Sequence, residues 1–259
     1  MGVLNVTPDS FSDGGRYLDT EAAVAHGLAM VEEGADIVDV GGESSRPGAE
    51  PVPEDVELAR VVPVVEALSS RVRVSIDTVK PAVAEAAIGA GATMVNDISA
   101  SLENVAAHGG VAWVAVHMQG SPRTMQEAPH YDDVAAEVYG FVLRRAEVAL
   151  AAGVDEVWVD PGIGFGKTVQ HNLTLLHHLP ELVAAAAELG CAGVLVGTSR
   201  KWFIGVLAAP EGAAPLGVED RMEGSLATAA QAMVAGAGML RVHDVAVTAQ
   251  AARLYGPAA

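Results

Sequence analysis

Three side chains able to bind a polar ligand, Asp77, Asn96 and Asp160, each stand at the end of a short apolar run. A carboxylate among apolar neighbours needs a partner, because an isolated buried charge is strongly disfavoured. No arginine adjoins any of the three in sequence. Either a structural ion pair or capped turn satisfies them, or a ligand does. A ligand with an N–H-rich edge, such as a 2-amino-pyrimidinone ring, would do so through charge-assisted hydrogen bonds. Asp97 reads more readily as structural, since alternation along a strand turns it away from Asn96.

Cations gather at two other run ends. Ser199-Arg200-Lys201 follows the seventh run, and Arg241-Val242-His243 closes the eighth. Alternation places Arg241 and His243 on one face of their strand. With Lys201 they read as a clamp for an anion, with Arg200 the weakest member, because an arginine beside a lysine often only solvates a loop. Lysine occurs only at Lys80, Lys167 and Lys201. Two of these follow the sixth and seventh runs, as expected if an acidic chain concentrates positive charge in one place. Asn5 ends the first run. Its neutral amide oxygen suits Mg²⁺, which keeps most of its waters and takes few protein ligands; alternatively it only braces a turn. The segment from Gly162 to Thr168 looks like a nucleotide-binding loop but fails the spacing, with Pro161 where the first glycine belongs. It reads instead as a pocket wall with Phe165 as a flat apolar face.

These residues need elements to position them. Eight apolar runs begin at Gly2, Ile37, Val72, Met94, Val111, Val157, Val194 and Met239. Each is short and rich in β-branched residues, the signature of a parallel strand buried on both faces. Segments of helical spacing lie between them, so the chain reads as repeated βα units. Eight such units match a (β/α)₈ TIM barrel, which needs about 250 residues. The chain of 259 residues is therefore read as one α/β barrel domain, 1–259. In that fold active sites form where strands end, and here the chemically capable residues sit at those ends. Helices are expected over Glu21–Glu33 (capped by Asp19 or Thr20), Pro53–Ser70, Pro81–Ala90, Leu102–His108, Asp132–Ala152, Asn172–Leu189, Glu219–Gly236 and Val245–Tyr255, with a short one after Lys201. Pro8–Arg16 and Glu43–Pro51 are rich in turn formers and read as mobile loops, and Gly256–Ala259 as a frayed tail.

Composition narrows the function. The formal charge is −18, so nothing supplies the basic face that a nucleic-acid binder needs. Hydrophobic residues make up 51% and charged ones 19%, which argues against disorder. Cys191 is alone, so neither a disulfide framework nor a thiolate metal site is expected. No apolar stretch reaches the about 18 residues of a membrane span, and no signal peptide is visible. A cytoplasmic protein without a membrane partner is the expectation.

Seven segments carry a resemblance: Asn5–Gly15, Glu43-Ser-Ser-Arg-Pro-Gly48, Ser75-Ile-Asp-Thr78, Asn96-Asp97, Asp160-Pro-Gly-Ile-Gly-Phe165, Ser199-Arg-Lys201 and Arg241-Val-His243. Together, in this order, they resemble the dihydropteroate synthases, pterin-binding enzymes of folate biosynthesis that sulfonamides inhibit. The resemblance spans nearly the whole chain. It implies that 6-hydroxymethyl-7,8-dihydropterin diphosphate condenses with 4-aminobenzoate, giving 7,8-dihydropteroate and diphosphate. It implies that Asp77, Asn96, Asp160 and Lys201 hold the pterin, with Lys201 also reaching the aminobenzoate. Asn5, Arg241 and His243 would meet the diphosphate, Asn5 through Mg²⁺. Phe11, Ser45, Arg46 and Pro47 would approach the aminobenzoate and leaving group on two closing loops, beside the Phe165 wall. Diphosphate would depart before the amine attacks, with Asp77, Lys201, Arg241 and His243 as the catalytic group. A homodimer through late helices is also implied. Ser45 stands where the family commonly has threonine, and Trp202 follows the lysine where smaller or basic residues are usual. Two rivals differ in class. A methyltetrahydrofolate:corrinoid methyltransferase shares the barrel and pterin ring but has no diphosphate for the cation corner to bind. A non-catalytic paralogue should have lost the loops or Lys201.

Overall fold

The computed structural model describes residues 1–7, 16–44 and 48–255, the side chains of residues 16–19 aside. Eight parallel strands pair in strict chain order: β1 Gly2–Asn5, β2 Ile37–Gly41, β3 Arg73–Asp77, β4 Met94–Asp97, β5 Ala112–Val116, β6 Val157–Asp160, β7 Gly193–Val196 and β8 Met239–Leu240. Val242 bridges back to Gly2, and the Val3 amide donates to the Val242 carbonyl at 2.9 Å, closing the sheet on itself. The expected (β/α)₈ barrel is what the chain forms.

Strand alternation sorts the side chains into two cores. Val38, Val40, Val74, Ile76, Val95, Trp113, Val159, Val194 and Val196 point outward and pack under the helices. Ile37, Met94, Ala112, Val114 and Leu195 fill the barrel interior. The next inward position on several strands is polar. Asp39 follows Ile37 by two residues, Asn96 follows Met94, Asp160 follows Trp158 and Arg241 follows Met239. An apolar floor thus carries a polar layer at the strands' C-terminal ends, the face on which barrel enzymes place their sites.

The helices are α1 Arg16–Glu32, α2 Glu54–Leu68, α3 Pro81–Gly89, α4 Glu103–Gly109, α5 Val134–Ala151, α6 Val169–His177, α7 Leu179–Leu189, α8 Trp202–Ala208, α9 Met222–Val234 and α10 Val245–Tyr255. Three depart from expectation. The first starts at Arg16, so neither Asp19 nor Thr20 caps it. The expected helix over Asn172–Leu189 is two helices. Pro180 in the first turn of α7 has no N–H to continue an earlier helix, and His178 breaks the path at φ −89°, ψ 7°. α6 also begins before Asn172, because Thr168 caps it and His171 reaches back to close the capping box. A histidine in place of the usual Glu or Gln hides that box in sequence. The expected helix from Glu219 opens instead with a 3₁₀ turn at Val218–Arg221, ahead of α9. The eighth strand is shorter than its apolar run, because the His243 amide turns to the Ser199 hydroxyl at 3.1 Å and leaves the ladder.

Candidate active site

Asp77 and Asp160 close β3 and β6, and Asn96 is the last residue but one of β4, all on the same rim of the barrel. The structure brings Arg241 to them from β8. Its Nε donates to Asp39 at 2.6 Å and its Nη2 to Asp77 at 2.6 Å. For Asp77 this realises the ion-pair alternative that the sequence left open, with an arginine from the far end of the chain rather than next door. Arg241 is also not a free anion clamp, since two carboxylates already hold it, and that contact raises its pKa against the effect of burial.

Asp39 was not foreseen. It is fully buried, and the oxygen that accepts from Arg241 also accepts from the Asn96 amide nitrogen at 3.0 Å. That fixes which way the Asn96 amide faces, because a carboxylate accepts and the NH₂ group must turn to it. The amide oxygen of Asn96 is then left buried without a partner among the described residues, as are the second Asp39 oxygen and the Ser75 hydroxyl. Two orphaned acceptors and a hydroxyl in one layer call for donors from outside the chain. The sequence signal for Asp39 was a lone acid at an inward position of a Val/Ile strand, two residues above Ile37.

Burial is the main influence on the titrating groups. It pushes Asp77 up to about 7, opposed by Arg241. Asp160 is pushed up to about 6, opposed by its hydrogen bond from the Gly162 amide at 2.7 Å and by Lys201. Lys201 is pulled down to about 8 by burial and by Arg241, opposed by Asp160 and Asp77. His243 is lowered to about 3 by burial and by Arg241, Arg200 and Lys201. It is therefore neutral at pH 7 and contributes hydrogen-bonding nitrogens rather than charge, another correction to the clamp of three cations. Its Nδ1 lies 3.1 Å from the Ser199 hydroxyl.

Lys201 caps the far wall. Its ammonium sits 3.6 Å from the centroid of the Phe165 ring, a cation–π contact. The loop that presents Phe165 is built on close approach. Gly162 has φ +64°, and a Cβ there would lie 1.8 Å from the His117 carbonyl oxygen. A Cβ on Gly166, also at φ +64°, would lie 2.5 Å from the Gln119 carbonyl oxygen. The glycines that mimic a phosphate loop in sequence thus let this segment press on the end of β5.

Arg200 pairs with Asp244 at 2.7 Å and with Glu219 at 3.2 Å, so it braces α10 and the 3₁₀ turn. Asp97 accepts from Ser99, Ser101, Leu102 and the Trp113 indole, a structural role. Lys167 is buried against His117 rather than contributing to the cation corner. Lys80, not singled out from sequence, bonds Glu43 at 2.6 Å, the Val52 carbonyl at 2.8 Å and Glu57, tying both ends of the β2–α2 loop together. Asn5 ends β1 opposite Gly41. Phe11, Ser45, Arg46 and Pro47, and with them most of the two expected mobile loops, lie outside the described residues, as does the tail from Gly256. No cluster of three or more His, Cys, Asp or Glu side chains suited to a metal occurs among the described residues. No helix among them is long and apolar enough to cross a membrane.

A profile of the family described as pterin binding enzyme matches residues 1–243. The chain is 48% identical over 265 residues to the dihydropteroate synthase of Mycobacterium leprae, covering 99% of this chain and 92% of that protein. Among solved structures it is similar to Xanthomonas albilineans dihydropteroate synthase with 4-aminobenzoic acid, with TM-score 0.87 and 48% identity over 98% of this chain and 90% of that one. The same organism's dihydropteroate synthase in complex with 7,8-dihydropteroate matches with TM-score 0.83 and 45% identity, over 98% of this chain and 91% of that one.

Proposed function

We propose the following residue roles from the premise that this chain belongs to the pterin-binding enzymes and, among them, to the dihydropteroate synthases. The enzyme joins 6-hydroxymethyl-7,8-dihydropterin diphosphate to 4-aminobenzoate. The observation that supports the roles best is the acceptor-rich layer at the mouth, with Asp77, Asp160 and the unpartnered Asn96 oxygen on one rim. A pterin edge carries ring N–H and amino groups and supplies the donors that this layer lacks. Asp77, Asn96 and Asp160 would take that edge, while Lys201 and Phe165 would flank the methylene and the incoming aminobenzoate. Its carboxylate end would fall to the two segments that carry Phe11 and Ser45, Arg46 and Pro47.

In the reaction the C–O bond to the diphosphate breaks, and its electron pair leaves with the diphosphate. The amine nitrogen then forms the C–N bond and releases a proton to solvent. Negative charge grows on the departing oxygen, where the Arg241 guanidinium and the His243 ring would stabilise it. Asp77 would offset positive charge on the pterin methylene. As the pterin edge engages Asp77, Arg241 would keep its bond to Asp39 and turn its freed Nη2 toward the diphosphate. Asn5, which ends β1, would hold Mg²⁺ through its neutral amide oxygen, with water and phosphate oxygens as the other ligands. Bound there, Mg²⁺ would neutralise charge on the leaving group.

A homodimer is proposed through the late helices, where Trp202, Leu207, Val218, Met222 and Val234 are exposed, Val234 to 73%. The methyltransferase and non-catalytic alternatives gain no support from the relatives. The roles are tested by incubating the protein with the pterin diphosphate, Mg²⁺ and 4-aminobenzoate, and quantifying dihydropteroate and diphosphate. Both should appear in equal amounts, and Asp160→Asn should raise KM for the pterin at least tenfold. An unchanged pterin KM would remove Asp160 from the pterin site.

A further inference from the structure

Lys167 is a fully buried lysine, 1% exposed, and its hydrogen-bond partners among the described residues are neutral groups rather than carboxylates. Its ammonium instead donates to the Phe165 carbonyl at 3.0 Å, to His117 Nδ1 at 2.9 Å and to the His117 carbonyl at 3.4 Å. Burial lowers its pKa to about 7, and burial and Lys167 together lower His117 to about 3, leaving a neutral imidazole. Asp160, Lys201 and the ring of Tyr131 at 6.0 Å are the other groups around it. An unpaired buried cation is unfavourable, and none of the roles above uses it.

The loop after β6 shows what the ammonium does. Three consecutive carbonyls there are each held by a side chain, two of them from outside the loop. Gln126 donates to Gly164 at 2.8 Å, Lys167 to Phe165, and the Tyr131 hydroxyl to Gly166 at 2.8 Å. Gln126 is exposed, so water can replace its bond. The Lys167 site is closed, so removing the ammonium leaves the Phe165 carbonyl and His117 Nδ1 without donors. The same loop is in contact with Lys201 along its length. The Phe165 ring lies under the ammonium, and a Cβ on Gly164 would come within 3.0 Å of Lys201 Cδ.

We propose that Lys167 is a positioning residue for the reaction: bonded to His117 and to the Phe165 carbonyl, it sets the Phe165 ring against which Lys201 is seated. The inference rests on the reading of Lys201 as a substrate-binding residue. It makes Phe165 the link, so the two residues must be coupled in catalysis.

A double-mutant cycle on the full-length enzyme tests it, with kcat/KM for both substrates measured on variants shown by circular dichroism to be folded. Displacing a catalytic group by about 1 Å costs on the order of 10²-fold in rate, so Lys167→Met should lower kcat/KM by about 10- to 100-fold. Phe165→Ala should also lower it. The double variant should be no worse than the more damaged single one, because both changes unseat the same lysine. Lys167→Gln keeps a donor for the Phe165 carbonyl, so it should recover part of the loss, and it replaces Lys167→Met in the cycle if that variant does not fold. Losses that multiply in the double variant, or a folded Lys167→Met with wild-type kcat/KM, overturn the proposal. A wild-type protein that makes no dihydropteroate would instead overturn the reading of the site.

Discussion

Replacing Lys201 with methionine should make the protein more stable and nearly inactive. The ammonium is held in the fold with its pKa lowered to about 8, against 10.5 for a free lysine side chain. At about 1.4 kcal/mol per tenfold change in proton affinity, that is a cost of about 3 kcal/mol at pH 7. Solvent at the cavity mouth screens part of it, and the contact with the Phe165 ring returns about 1 kcal/mol. Lys201→Met should therefore gain about 2 kcal/mol, raising Tm by about 5 °C. The folded pKa lies below the unfolded one, so folding releases protons between about pH 8 and 10.5, and the wild type recovers stability as pH rises through that window. The advantage of the methionine variant should be complete below pH 8 and gone by about pH 10.5. Loss of a preorganised charge from the site should lower kcat/KM by about 10²–10³. Urea denaturation at pH 7 and pH 10, with steady-state kinetics at pH 7, checks both halves. A folded variant less stable than wild type at pH 7, or one that keeps wild-type kcat/KM, would refute the reasoning.

The pH profile of kcat/KM for the pterin should be bell-shaped, falling below about 7 as Asp77 and then, near 6, Asp160 take up protons, and falling above about 8 as Lys201 loses one. In an Asp160→Asn variant the step near 6 should be lost while the one near 7 remains. Gly162→Ala forces a Cβ to 1.8 Å from the His117 carbonyl oxygen at φ +64°, so chemical denaturation should show a loss of at least about 3 kcal/mol, or no folded protein. If the proposed homodimer forms through the late helices, Val234→Glu combined with Trp202→Glu puts charge on their exposed apolar face, and sedimentation velocity should show a dimer for the wild type and a folded monomer for the variant.

The barrel was legible because parallel strands buried on both faces give unbroken Val/Ile runs, and their order of pairing is their order in the chain. Asp77, Asn96 and Asp160 were legible because each ends such a run. Asp39 was not. An inward acid within a run has no sequence sign of its partner, and that partner, Arg241, is 202 residues away. His243 read as a cation because sequence shows the charges near it but not its burial, which together hold it neutral. Lys167 read as part of the anion corner for the same reason, whereas closure of the β6–α6 loop on His117 turns it inward. The split between α6 and α7 was readable from Pro180, but apolar periodicity on both sides of it concealed the break.

In the proposed reaction the bond between the pterin methylene carbon and oxygen breaks, with diphosphate as the leaving group beside Arg241 and His243. The direct measurement is to label the oxygen bridging that carbon and phosphorus with ¹⁸O, let the enzyme turn the substrate over with 4-aminobenzoate, and analyse the products by mass spectrometry. Every diphosphate released should carry the label while dihydropteroate forms in equal amount. Unlabelled diphosphate or phosphate, with the label retained on a hydroxymethylpterin, would mean that the site breaks the phosphorus–oxygen bond, and would contradict the proposed reaction.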